Sequence, residues 1–397
     1  MQVSKLSTLT LAVAAAVALS ACGKKEEAAP AAGASAPAQA SAGGDVIKIG
    51  FAAPLTGPQS HYGEEYKNGV TLAIEDANAA KPTIAGKPVT FELNAQDDQA
   101  DPKTATQLAQ KFVDEKVAGI IGHFNSGTAI PASKIYSDAG IPMIAMATSP
   151  VFTSQGFKNT FRSMTSDTQQ GSVMGKFAVE KLHAKKIVIV DDRTAYGQGL
   201  ADQFEKAAKL AGGNVVAREY TTDHATDFAA ILTSIKAKQP DAIFYGGADT
   251  QSGPLAIQLK RLGLKAQLVS GEMTRTDSFL KLSGDAGNGV IASLAGLPAE
   301  KTPGAAPLIE RVKARFGAAD FYAPYSYDAT MVMIRAMQAA NSTEPAKYLP
   351  QLAKTQYAGV TSPRIAYDAK GDLKNGDITV YKADKGQWTV METVSGN

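Results

Sequence analysis

The sequence predicts an α/β fold of two lobes, each a largely parallel sheet flanked by helices and joined by a hinge. Three observations lead there. Apolar strands alternate with amphipathic helices, the pattern of parallel sheets covered on both faces. The alternation runs twice, with a connecting stretch near Arg162 to Asp167. The chain has 397 residues, too many for one ordinary core and suited to two. Hydrophobic residues make up 44% and charged residues 20%, a globular balance able to fill such cores. A net charge of +2 gives no reason to expect nucleic acid as a partner.

Val46 to Ala52 reads as a buried strand and Pro54 to Pro58 as the loop that ends it. Tyr62, Tyr66, Val70, Ile74 and Ala77 then make one helical stripe. Val89, Phe91 and Leu93 alternate as a strand, and Thr104 to Lys116 predicts a helix. Val117 to Gly122 is an apolar strand, Thr128 to Ser137 a helix, and Ile141 to Ala147 another strand. In the second half, strands are predicted at Lys186–Val190, Val215–Tyr220, Ala242–Gly246 and Leu268–Ser270. The helices between them are predicted over Gln198–Leu210, Asp227–Lys238 and Pro254–Leu262. Helices at Leu308–Phe316 and Tyr327–Ala340 and a strand pair around Val380 and Trp388 complete the chain. A weak internal echo links Ala118–Gly122 with its Ser126-Gly127 to Ala242–Gly246 with its Ser252-Gly253.

The N-terminus has a different character. Met1 to Lys5 is positive, and Leu6 to Leu19 is an apolar run too short to span a bilayer comfortably, the build of a secretory signal. Leu19-Ser20-Ala21-Cys22 resembles a bacterial lipobox, which implies lipidation of Cys22 and a membrane anchor. Cys22 is the sole cysteine, so no disulfide within the chain is expected. From Cys22 to Gly44 the Ala/Pro/Ser/Gly composition predicts a flexible tether. Folded structure is expected from about Asp45.

The usual marks of an enzyme are weak or missing. The chain lacks a P-loop and a G-x-S-x-G elbow. Gly197-Gln198-Gly199 follows a strand, but Asp202 occupies the third glycine position, so a tight turn explains it. The histidines show no metal spacing, and His61 and His123 read as polar loop residues. Asp97 and Asp98 are adjacent and point opposite ways in extended chain, so a solvated or loop-capping role is expected.

In open parallel sheets ligands sit beyond the carboxyl ends of the strands. The loops there carry an ordered set of short motifs. They are Tyr62-Gly63, Gly122-His123, Ser126, Pro131-Ala132-Ser133, Thr148-Ser149-Pro150, Tyr196-Gly197 with Gly199-Leu200-Ala201, Tyr245-Gly246-Gly247 and Gly271-Glu272. The set resembles the periplasmic leucine/isoleucine/valine-binding proteins of branched-chain amino-acid ABC importers over nearly all of the chain after the tether.

The resemblance implies a two-lobed type I periplasmic-binding-protein fold, with lobes at 45–166 plus 295–365 and at 167–294 plus 366–397. It implies a monomer that carries an amino acid to the permease subunits of an ABC importer, with no cofactor and no metal. The ligand would be leucine, isoleucine or valine, with a short amide or an aromatic acid as alternative. A ligand sensor or envelope interaction lipoprotein is the rival class. Ser126 and Thr148, with Met146 and Ala147 in the same loop region, would receive the carboxylate, where a helix N-terminus favours an anion. Both hydroxyls are otherwise ordinary helix N-caps. Glu272 would take the ammonium, with the Tyr196 hydroxyl near the ligand ends. Tyr62, Tyr245 and Tyr322 fall where the family has aromatic walls, with Phe124 as a lesser candidate, though Tyr245 also fits core packing. No charged residue stands among these walls, which disfavours Lys, Arg or Glu as ligands. Three departures concern the ligand more than the fold: Asn125 where the family has a disulfide cysteine, a shorter loop at Met146 to Thr148, and a different Met273-Thr274-Arg275.

Overall fold

The computed structural model describes residues 44–302, 304–374 and 376–395. The expectations for the signal segment, Cys22 and most of the tether lie outside these residues. Among the described residues no helix is long and apolar enough to cross a membrane.

The first sheet comprises β1 (Asp45–Ala53), β2 (Thr83–Ile84), β3 (Lys87–Asp97), β4 (Gly119–Gly122), β5 (Met143–Ala145) and β6 (Thr160–Arg162). Its spatial order is β2-β3-β1-β4-β5-β6, parallel except for β2. Its helices are α1 (Ser60–Ala79), α2 (Pro102–Asp114), α3 (Ser126–Asp138) and the short α4 (Pro150–Ser154). All five residues of the predicted α1 stripe are buried in the main core.

The second lobe alternates α5 (Asp167–Glu180), β7 (Lys186–Asp191), α6 (Ala195–Leu210), β8 (Asn214–Tyr220), α7 (Ala229–Lys238), β9 (Ala242–Gly246), α8 (Asp249–Arg261), β10 (Gln267–Ser270), α9 (Asp277–Ser283) and β11 (Ile291–Leu294). The chain then returns to the first lobe with α10 (Ala305–Phe316), α11 (Tyr322–Ala339) and α12 (Pro345–Ala353). There α11 packs along α1, and the Tyr348 hydroxyl donates to Ala118 O at 2.7 Å. Finally β12 (Ile378–Asp384) and β13 (Gln387–Val394) close the second sheet, whose order is β13-β12-β11-β10-β9-β7-β8. Only the last two strands are antiparallel additions.

Two helices begin more than a turn earlier than the sequence suggests. Pro254 reads as a first helical residue, yet α8 starts at Asp249. Pro324 breaks the α11 pattern, yet α11 starts at Tyr322 and holds this proline in its first turn, where its missing N–H would have no partner anyway. Helix α5 is not apparent in the sequence because Gly171 and Gly175 look like breakers. In the structure they let α5 approach α6: a Cβ at Gly171 would lie 2.7 Å from Phe204 N, and one at Gly175 2.6 Å from Phe204 O.

The chain passes between the sheets three times, between β6 and α5, between β11 and α10, and between α12 and β12. These crossings hold one another. Thr165 N donates to Ala295 O at 3.4 Å. The Thr165 hydroxyl donates to Asp377 O at 3.1 Å, and that of Thr379 to Gly296 O at 2.8 Å.

Candidate functional site

Strand C-terminal ends from both sheets converge on one cleft. The first lobe brings an aromatic group to it. Tyr62 sits in the first turn of α1, Phe124 follows β4 and Tyr322 opens α11. The Tyr62 and Phe124 rings stack at 5.5 Å, and Tyr322 meets them edge-on at 5.7 and 5.0 Å. All three are buried. The Tyr62 hydroxyl crosses the cleft, donating to Met273 O at 2.5 Å and accepting from Asp249 N at 3.2 Å. Beside it, His61 Nε2 lies 2.9 Å from the Asp249 carboxylate.

The hydroxyl-bearing loops of the first lobe lie side by side. Ser126 is the first residue of α3, and its Oγ accepts from Ser149 N at 3.2 Å. Met146, Ala147, Thr148 and Ser149 are buried. Arg162, fully buried, fastens this loop from behind. Its guanidinium donates to Ala147 O, to Ser149 O at 3.1 Å and to the Thr153 hydroxyl at 2.9 Å. Its Nε reaches Asp372 at 2.8 Å, in the third crossing.

The second lobe supplies charge. Glu272 follows β10 and is 3% exposed. Its Oε2 accepts from Gln170 Nε2 at 2.6 Å and from the Tyr196 hydroxyl at 2.9 Å. Gly271 has no side chain because a Cβ there would collide with that hydroxyl. Burial raises the Glu272 carboxyl above its ordinary range, against the stabilising bonds from Gln170 and Tyr196. Burial and then the neighbouring Glu272 and Asp167 charges raise the Tyr196 phenol. Asp167, the first residue of α5, is fully buried, and Gln170 Nε2 also donates to its Oδ1 at 3.1 Å.

The structure thus gathers Tyr62, Ser126, Met146, Ala147, Thr148, Tyr196, Glu272 and Tyr322 around the cleft. Tyr245 stands apart from the other aromatics. Its ring packs in a separate core of the second lobe with Val188, Val190, Leu232, Leu255 and Phe279, as expected for a residue that ends an apolar strand. Its hydroxyl, unpartnered and buried, lies next to Gly247 and Asp192.

One polar reading is filled in and one is corrected. His123 lies in the loop between β4 and α3 and is fully buried there, with Nδ1 2.7 Å from Asp98 and Nε2 3.1 Å from the Tyr136 hydroxyl. His61 belongs to α1 rather than to a loop. Asp97 and Asp98 do diverge: Asp97 accepts from Leu55 N at 2.8 Å and Gln99 N at 2.9 Å as a loop cap, while Asp98 turns inward to His123. Arg162, Asp167 and Gln170 are absent from the sequence expectations. They lie in and beside the stretch read as a connection, where nothing in one sequence marks a polar residue as buried.

Two cavities flank the cleft, each lined from both lobes. One of about 430 Å³ touches Asn125, Ser126, Thr194, Tyr196, Ala248 and Met273. The other, of about 420 Å³, touches His61, Tyr62, Glu65, Thr276, Asp320 and Tyr322. Among the described residues no group of three or more His, Cys, Asp or Glu is placed to hold a metal ion. The arrangement offers donors, a buried carboxylate and aromatic surface, which is equipment for holding a small zwitterion.

Comparison with known proteins agrees with this geometry. The periplasmic binding protein family model matches residues 46–387. A Leu/Ile/Val-binding protein homologue from Brucella abortus is 34% identical over 347 residues, covering 87% of this chain and 92% of the relative. A leucine-, isoleucine-, valine-, threonine- and alanine-binding protein from Pseudomonas aeruginosa is 33% identical over 343 residues, covering 86% and 91%. Among solved structures, a leucine-binding protein from Thermotoga maritima superposes with a TM-score of 0.81 at 27% identity, covering 88% of this chain and 98% of that one. The matched span runs from β1 into β13, through both lobes and every loop of the cleft, and the chain belongs to the periplasmic binding protein family.

Proposed function

We propose that this protein captures an amino acid, with leucine, isoleucine and valine as the favoured ligands, and delivers it to an ABC importer. The observation that carries the reading is Glu272. It is buried in the cleft, held by Gln170 and Tyr196, and forms no ion pair with Lys or Arg among the described residues. A buried carboxylate without a cation is costly, and an incoming ammonium group supplies one. The ligand carboxylate meets the Ser126 and Thr148 region at the N-terminus of α3, where N–H groups and the helix dipole favour an anion. The side chain meets Tyr62, Phe124 and Tyr322. The relatives that bind branched-chain amino acids support this ligand class.

In this reading the lobes are 45–166 with 295–365 and 167–294 with 366–397, and they close around the ligand as hinge proteins do. Cys22 carries the lipid that holds a monomer at the membrane in the cell envelope, within reach of the permease subunits. No bond in the ligand is made or broken. Calorimetric titration with leucine and with 4-methylpentanoate, which lacks the amine, tests the Glu272 assignment. Leucine is expected to bind and the desamino acid to bind far more weakly; equal affinity would remove the ammonium contact.

A further inference from the structure

Resting on the amino-acid reading, we infer that Asp167 is a second anion of the amine subsite, and that ligand binding expels the proton it shares with Glu272. The sequence singles out Glu272 alone. In the structure one amide joins the two carboxylates: Gln170 Nε2 donates to Glu272 Oε2 at 2.6 Å and to Asp167 Oδ1 at 3.1 Å. The same side chain is locked from its other end. Gln170 Oε1 accepts from the Ser293 hydroxyl at 2.6 Å and from Glu272 N at 3.2 Å. The amide is therefore fixed as a donor toward both acids.

Asp167 Oδ2 is buried and has no hydrogen-bond partner, as does the Tyr322 hydroxyl on the opposite side of the cleft. After burial itself, that phenol feels the Glu272 carboxylate most strongly. One oxygen of the carboxylate pair and a phenol of the other lobe that senses Glu272 thus have nothing paired to them, and unpaired buried groups of this kind call for a ligand.

The charged groups around the pair are few. The Arg162 charge favours the ionised form of Asp167, but its N–H groups donate to Ala147, Ser149, Thr153 and Asp372. Thr148 leans the same way without closing a bond to Oδ2. Tyr196 faces both acids and is a neutral phenol. Against these stand burial and the Glu272 charge, which together hold the Asp167 carboxyl well above the usual range. Two like charges sharing an amide in a dry site do not both ionise, so one proton remains. Glu272 accepts two hydrogen bonds and is the ionised partner; Asp167 carries the proton. An ammonium beside the pair favours both charged forms, and the proton leaves to solvent.

The sign of the linkage follows. The free site holds a proton that the complex lacks, so affinity falls as pH drops, by up to about tenfold per pH unit below the free site's titration. The test is calorimetric titration of the full-length protein with L-leucine in buffers of different ionisation enthalpy. The slope of apparent heat against buffer enthalpy counts protons. A slope approaching one proton released near neutral pH is expected, falling to zero in Asp167→Asn, which keeps the Oδ1 acceptor. A parallel pH series of Kd on the unmodified protein needs no variant. Leucine binding with zero slope and a flat pH series overturns the proton release and leaves the amino-acid reading intact. Absence of binding by any of the twenty amino acids removes both.

Discussion

The two sides of the cleft are built from different chemistry. The first lobe contributes rings and a hydroxyl loop: Tyr62, Phe124 and Tyr322 in mutual contact, with Ser126 and Ser149 bonded beside them. The second contributes a polar network of Gln170, Tyr196, Glu272 and Ser293, with Asp167 at its edge. In the proposed reading one side gives shape and would take the anionic end of a ligand, and the other gives charge and would take the cationic end. On that reading a ligand with both ends satisfies both sides, and a zwitterion would favour the closed form.

Substitutions that separate stability from binding sharpen this contrast. The largest effect is expected from Arg162→Ala. It leaves three acceptors behind the hydroxyl loop without their donor, each costing about 1–3 kcal/mol if left unsatisfied, while Asp372, 27% exposed, keeps the Thr153 hydroxyl as a donor. Chemical denaturation should show that loss with or without ligand. Next comes Glu272→Ala, expected to weaken amino-acid binding by at least ~2 kcal/mol while leaving the unfolding midpoint of the free protein little changed. Unchanged affinity would remove Glu272 from the site. Tyr62→Phe keeps the aromatic wall and deletes two hydrogen bonds across the cleft, so affinity should fall by about 1 kcal/mol. His61→Ala is expected to have the smallest effect, under about 1 kcal/mol, because its side chain is 33% exposed and its pair with Asp249 is partly screened. A larger loss from His61 than from Tyr62 would mean that the exposed latch, not the buried one, holds the lobes together.

The same contrast separates what the sequence discloses from what it does not. Tyr62 is legible because helix periodicity places it on the buried stripe of α1, with Tyr66 and Val70. The sheet strands are legible because parallel strands buried on both faces read as apolar runs. Glu272 is visible through the ordered motifs and not through periodicity. Arg162, Asp167 and Gln170 are hidden because their burial depends on residues distant in sequence: Asp372 lies 210 positions from Arg162, and Glu272 lies 102 from Gln170. Tyr245 shows the converse. The family resemblance implies an aromatic wall at its position, yet its ring packs with Leu232, Leu255 and Phe279 in a core of the second lobe.

In the proposed function the cleft binds a free amino acid through both of its charged ends. The most direct test is thermal unfolding of the full-length protein against a panel of amino acids, short amides and aromatic acids. A ligand that binds the folded form alone adds about 2.7 kcal/mol at a hundredfold excess over its dissociation constant. A raised midpoint with leucine, isoleucine or valine, absent with their desamino analogues, is the predicted result. A shift produced by aromatic acids or amides alone would contradict it.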